Sequence, residues 1–144
     1  MKNVFNNEII NSFYSIYMQE KKILQSDAER VGLTVVQLRA LYKISVRPNV
    51  RLAELAERMK STNSTISSVI DRLVDKELVE RKTSENDRRA ITICLTIKGE
   101  EKLREFQESK SETVQKLQRI NDLPAEDIKR LLEIHQKILS ILKD

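Results

Sequence analysis

The chain has 144 residues, 40% of them hydrophobic and 33% charged, with two Gly, two Pro, one Cys and 4% aromatics. That length suits one domain with a buried core and a heavily solvated surface, which excludes disordered and fibrous classes, and so few turn formers and aromatics favour helices over a sandwich or barrel. The net charge of +4 permits a polyanionic partner without demanding one.

A single thiol, Cys94, excludes an intrachain disulfide framework and a multi-thiolate zinc site, and suits a reducing compartment. No apolar run approaches the roughly 20 residues that span a bilayer. The amino terminus turns polar at Asn6, Asn7 and Glu8 before a signal-peptide core forms, so the expected location is the cytoplasm, away from membranes.

From Glu8 to about Gln25, Ile9, Ile10, Phe13, Tyr14, Ile16, Tyr17, Ile23 and Leu24 recur at helical spacing over more than one narrow stripe, so this helix needs two neighbours. Thr34 and Gln37 form a capping box that opens a second helix, with Leu38, Leu41, Tyr42 and Ile44 as its buried face and Pro48 as its stop. Between Arg39 and Lys60, the basic residues Arg39, Lys43, Arg47, Arg51, Arg58 and Lys60 face only Glu54 and Glu57. The whole excess of positive charge lies there, either as a solvated helical face or as a footprint for a polyanion.

Leu52, Leu55, Ala56 and Met59 mark a helix of barely two turns. Thr62 then caps a helix from Asn63 to about Lys76 that buries Ile66, Val69, Ile70, Leu73 and the stem of Glu77. Its opposite face carries Ser64, Ser68, Asp71 and Asp75, flanked by Thr65, Ser67 and Arg72. The period next changes to two. Leu78–Lys82 and Ile91–Thr96 read as strands, with Ile91, Ile93 and Leu95 on one side of the second and Thr92, Cys94 and Thr96 on the other. The polar segment 83–90 between them makes a β-hairpin with a long charged tip.

Thr96 caps a long connecting helix that carries Leu103, Phe106, Val114, Leu117 and Ile120. After Leu123 and Pro124 a last helix presents Ile128, Leu131, Leu132, His135, Ile138, Leu139 and Leu142 on one face, widened by Ile134 and Ile141. Both ends of the chain thus carry surplus apolar surface. A twofold dimer buries such surplus with one self-complementary patch; wider burial within the chain is the alternative.

Short helix, polar turn, capped helix with a hydroxyl-rich face, then a hairpin: this order is a winged helix-turn-helix. Asn63, Ser64, Thr65, Ser67 and Ser68 are small polar groups at the start of the second helix of that motif, where side chains reach base edges and phosphates and the helix dipole favours anions. Hydroxyls that only cap and solvate the helix are the plainer reading, but so many in its first turns lower intrinsic helicity.

Over almost its whole length the chain is similar to the MarR family of dimeric winged-helix regulators. The similarity rests on Leu33-Thr34 with Gln37 and Leu41, Leu52-Ala53-Glu54-Leu55-Ala56, Ser64-Thr65-Ile66-Ser67 with Asp71-Arg72-Leu73, Leu78-Val79-Glu80-Arg81, Asp87-Arg88-Arg89, and Leu95-Thr96 with Gly99. The resemblance implies a mainly α fold with a small β-hairpin. It also implies a single domain over 1–144, with a DNA-binding lobe at 34–98 and helical dimerisation regions at 1–28 and 99–144. The implied function is a homodimeric repressor of a pseudo-palindromic double-stranded operator, whose affinity a small aromatic or anionic effector lowers.

Implied DNA-binding residues are Asn63, Ser64, Thr65, Ser67, Ser68, Arg72, Asp87, Arg88 and Arg89. The family motif Asp-x-Arg falls on Asp87 and Arg89 at the hairpin tip, where the carboxylate is expected to orient the guanidinium for a narrow minor groove; an ordinary surface ion pair is the competing account. Tyr14, Tyr17, Tyr42 and Arg47 are candidate effector contacts, with core packing as their alternative.

Departures from the family pattern carry expectations too. Ser68 stands where many relatives carry Arg, which implies weaker direct readout and more reliance on phosphates and DNA shape. Glu77 replaces a common Gly, so the preceding helix is expected to end without a left-handed cap. Arg51 replaces a capping hydroxyl and is free to meet a phosphate.

Cys94, a lone thiol in a strand, reads as packing rather than a redox sensor, and His135, on an apolar face, as packing rather than a metal ligand. No phosphate cradle, triad or paired carboxylates at catalytic spacing occur in the sequence, so neither an enzyme nor a resident metal or cofactor is expected. The rival reading is a winged-helix module that binds protein without touching DNA.

Overall fold

A computed structural model describes residues 6–109 and 111–143; residues 1–5, 110 and 144 of the expected dimerisation regions lie outside them. The chain forms two compact units, Met1–Ser109 and Lys110–Asp144.

The first unit begins with α1 (Glu8–Arg30), whose N-cap Asn7 accepts the N–H groups of Ile9 and Ile10 on its side chain. Helix α2 (Val35–Val46) opens with the expected capping box: Thr34 Oγ1 accepts from Gln37 N at 3.2 Å and Gln37 Oε1 accepts from Thr34 N at 3.1 Å. A two-residue strand β1 (Val50–Arg51) leads directly into α3 (Leu52–Arg58). Helix α4 (Asn63–Asp75) follows, capped by Thr62, whose hydroxyl accepts from Thr65 N at 3.1 Å. Strands β2 (Val79–Thr83) and β3 (Ile91–Leu95) and helix α5 (Ile97–Glu108) complete the unit.

Helices α2, α3 and α4 close over the sheet around one apolar core. Leu41, Ile44, Val50, Leu55, Ile66, Ile70, Leu73, Val79 and Ile93 are fully buried in it, each contributing about 1.5–3 kcal/mol relative to exposure. The helical spacing of 66, 70 and 73 therefore places one face of α4 in the core and leaves the other in solvent.

The sheet has three strands in the order β1-β3-β2, all antiparallel, with Val50 and Arg81 both opposite Ile93. The expected hairpin is thus the larger part of a sheet that β1 completes. Strand β3 is paired along both of its edges, and of its side chains Thr92 and Ile93 are buried whereas Ile91 is exposed.

Three helices of this unit end in a left-handed residue: Gly32 (φ 75) after α1, Lys60 (φ 53) after α3 and Glu77 (φ 62) after α4. At each, two main-chain bonds close the helix. After α4 they run from Glu77 N to Val74 O at 2.8 Å and from Leu78 N to Leu73 O at 3.0 Å, the Schellman pattern. This corrects the expectation for Glu77. The left-handed cap forms without glycine, and the Glu77 side chain is exposed rather than laid on the core.

Two further differences follow from packing. Tyr42, assigned to the buried face of α2, is 49% exposed; it neighbours the buried Leu41 but turns outward. The single connecting helix is two, α5 and α6 (Glu112–Asn121), because Ser109 is extended (ψ 123) and Ser111 caps a new start by accepting from Val114 N.

The second unit contains α6 and α7 (Ala125–Lys143). Helix α7 has no buried residue, and Leu131, Leu132, Ile134, Leu139, Ile141 and Leu142 are all exposed. Within the first unit α1 likewise exposes Ile9, Ile10, Tyr14, Ile16 and Tyr17. Among the described residues no helix is long and apolar enough to cross a membrane.

Candidate nucleic-acid interface

Burial of Ile66, Ile70 and Leu73 turns the hydroxyl-bearing side of α4 outward. Asn63, Ser64, Thr65 and Ser68 are exposed and Ser67 is half-buried. The hydroxyls already have local geometry. Thr62 Oγ1 donates to Thr65 Oγ1 at 2.9 Å, and Ser68 Oγ donates to Ser64 O at 3.3 Å, so the lone pairs of Ser68 and the proton of Thr65 remain for an external partner. This end of α4 also carries the unsatisfied N–H groups and positive dipole end that attract anions.

Arg72 stands apart. It is exposed near the far end of α4, where it lines a cleft with Asp75, Lys76, Glu29, Gly32, Leu33, Thr34 and Gln37. In that cleft Lys76 Nζ donates to Gly32 O at 2.7 Å, tying the end of α4 to the turn between α1 and α2.

The wing projects as expected: residues 85–89 are all exposed, while Ala90 returns to the core. Its tip is a turn rather than an extended run, closed by Ala90 N to Asp87 O at 3.0 Å and Ser84 N to Ala90 O at 2.8 Å. Asp87 Oδ1 accepts the main-chain N–H of Arg89 at 3.0 Å. The carboxylate therefore pins the backbone under Arg89 instead of gripping the guanidinium. Arg88 and Arg89 form no ion pair among the described residues, which leaves their charge for a polyanion.

One arginine in this region had no assigned role at the sequence level. Arg81 Nη2 binds Asp71 Oδ1, bridging β2 to the exposed face of α4. Its parity with the buried Val79 was the available signal, since residues two apart in a strand share a side.

The effector candidates are spread over α1, α2 and the residue after it. Tyr14, Tyr17 and Tyr42 are exposed, and Arg47 Nε is bound to Glu54 Oε1 at 2.7 Å. A cavity of about 310 Å³ between α2, β3 and α5 is lined by Ile44, Ser45, Pro48, Cys94, Leu95 and Arg104 among others, and includes none of the four.

Cys94 borders that cavity. Burial pushes its thiol above the ordinary range, and the nearby Glu80 carboxylate adds to the effect against the opposing charge of Lys82; Sγ lies 3.6 Å from Glu80 Oε1. Lys82 is held above its ordinary value first by its hydrogen bond to Glu80. His135 is half-buried on α7. No cluster of metal-ligating side chains occurs among the described residues.

The model of the MarR family matches residues 33–91, from the turn before α2 to the start of β3. The HTH-type transcriptional repressor MdtR of Bacillus subtilis (strain 168) is 30% identical over 94 residues, covering 65% of this chain and 61% of that protein. An uncharacterized HTH-type transcriptional regulator of the same organism, YpoP, is 32% identical over 100 residues, or 69% of this chain and 67% of its own length. The chain thus spans about three fifths, 61%, of the first curated relatives it matches. Among solved structures, a mutant MarR from Escherichia coli complexed with operator DNA is 25% identical with a TM-score of 0.76, covering 96% of this chain and 99% of that one.

Proposed function

The chain belongs to the MarR family, and from that premise we propose that it is a homodimeric repressor that binds a pseudo-palindromic operator in double-stranded DNA in the cytoplasm. The observation that carries this reading is the paired exposure of the α4 hydroxyl face and an arginine-tipped wing on one packed unit. A helix can enter a major groove while a flanking hairpin reaches the adjacent minor groove. The relative solved with operator DNA shares this fold.

Asn63, Ser64, Thr65, Ser67 and Ser68 are the proposed groove contacts, with Arg88 and Arg89 at the wing and Arg72 as a phosphate contact. Hydroxyls specify bases less sharply than a bidentate arginine, so affinity draws mainly on phosphates and DNA shape. The exposed apolar residues of α1 and of α7 are the surfaces assigned to the twofold partner, because patches of that kind mark association sites.

Selection of bound duplexes from a random pool, followed by footprinting, tests the reading. Two protected half-sites about 10 base pairs apart are expected; protection of one half-site alone argues against the dimer. Affinity falling steeply with salt separates DNA binding from the protein-docking alternative, which lacks a linear log-log dependence. We further assign regulation to a small aromatic or anionic ligand that lowers operator affinity, with Tyr14, Tyr17, Tyr42 and Arg47 as its candidate contacts. Release of the selected duplex by phenolic carboxylates is the corresponding test.

A further inference from the structure

Asp71 is a carboxylate on the face of α4 that Ser64 and Ser68 share, one turn beyond Ser68. On a surface turned to a polyanion an acid repels, unless its charge is taken up. Here Arg81 takes it up. Arg81 reaches across from β2 on the same side of the strand as the buried Val79, and its Nη2 binds Asp71 Oδ1. Both side chains remain partly in solvent, 36% exposed for Arg81 and 62% for Asp71. A guanidinium has five N–H donors and a single carboxylate engages two at most, so donors remain free.

The position of this pair gives those donors a target. Helix α4 and the tip of the β2–β3 hairpin are the two elements assigned to neighbouring grooves, and β2 runs between them. When a helix lies in a major groove and a hairpin tip in the adjoining minor groove, the phosphate ridge that divides the grooves crosses the strands of the hairpin below its tip, and Arg81, paired with Ile93 midway along β2, stands on that stretch. We propose that Arg81 contacts the DNA backbone at this ridge, and that Asp71 is a positioning residue that aims its guanidinium. The inference rests on the DNA-binding reading above and adds to it a backbone clamp between the two groove contacts.

A simple charge argument and the positioning argument predict opposite signs. Removing an acid from a DNA-facing surface strengthens binding if the acid only repels; it weakens binding if the acid aims an arginine. The test is titration of the selected duplex over a range of salt by the full chain and by Asp71→Asn, Arg81→Ala, Arg81→Lys and Arg89→Ala, with thermal unfolding as the check of folding.

Arg81→Ala is expected to bind about tenfold more weakly on every duplex, with the salt slope smaller by about 0.9 for the lost phosphate. Arg81→Lys keeps the charge and restores the slope with part of the affinity, which a merely structural role would not produce. Asp71→Asn is expected to weaken binding severalfold despite its more favourable charge. Unchanged or tighter binding by Asp71→Asn, or an unchanged slope for Arg81→Ala, overturns the proposal even while Arg89→Ala shows that the wing binds. Failure of the unmodified chain to bind any duplex at low salt overturns the DNA-binding reading and this inference with it.

Discussion

Asp87 Oδ1 accepts the main-chain N–H of Arg89 at 3.0 Å, so the aspartate shapes the wing tip while the arginine side chain stays free. The two residues therefore differ in what they contribute. Arg89→Ala is expected to weaken operator binding by about 1–3 kcal/mol with dimerisation and thermal stability unchanged. Asp87→Ala loses one hydrogen bond that orders the turn and weakens binding by about 1 kcal/mol, whereas Asp87→Asn retains an acceptor oxygen and stays near the parent. Equal loss for Asn and Ala, measured by titration of labelled duplex, would show that the charge matters and the turn does not.

Glu77 holds a left-handed conformation at φ 62, at a cost of about 1–2 kcal/mol for a residue with a Cβ. Its replacement by glycine removes that strain and returns part of the gain as chain entropy in the unfolded state. Glu77→Gly is expected to raise stability by about 1 kcal/mol, or roughly 4 °C in the unfolding midpoint. Its exposed ion pair with Lys98, at 3.4 Å, offsets little of this. A midpoint at or below that of the parent would sink the argument.

Gly99 illustrates the opposite case. A Cβ placed there would collide with the Leu78 carbonyl oxygen, because Thr96 ties the start of α5 to the strand entrance: its N–H donates to Leu78 O at 3.1 Å and its hydroxyl to Glu77 O at 2.6 Å. Gly99→Ala must push backbone from backbone, with an expected loss of about 1–3 kcal/mol or more. Urea denaturation reads it directly; an unshifted midpoint would mean that α5 can move off β2 freely.

The Cys94 thiol, raised first by burial, is expected to react severalfold more slowly with an aromatic disulfide near neutral pH in the folded chain than in urea, since the thiolate is the nucleophile. The linked effect on stability has a definite sign. The fold favours the neutral thiol, so this contribution is present below the ordinary thiol range and fades as pH rises through the raised value. Faster reaction in the folded chain would instead mark Cys94 as activated.

Much of the fold is legible in sequence because its signals are local. Thr34 with Gln37, Thr62 and Thr96 each bond an N–H three residues on, and such caps announce a helix start without knowledge of the rest of the chain. The spacing of Ile66, Ile70 and Leu73 likewise defines which face of α4 is buried and hence which hydroxyls are offered outward. The polar run 83–90 had to be a surface tip for the same reason.

What tertiary structure alone decided lies in non-local pairings and in the margins of short elements. The two residues of β1 carry no period and become a strand only because β3 has an open edge beside Val50. Tyr42 joins an apolar ring to a polar hydroxyl, and its direction from α2 is settled by which neighbours surround that helix. The left-handed conformation of Glu77 lies in a residue type that does not announce it. The ion pair of Asp71 with Arg81 joins two elements that sequence order separates by a turn. A sequence states the preferences of neighbours a few residues apart; only the folded chain brings distant side chains within reach and sets their partners.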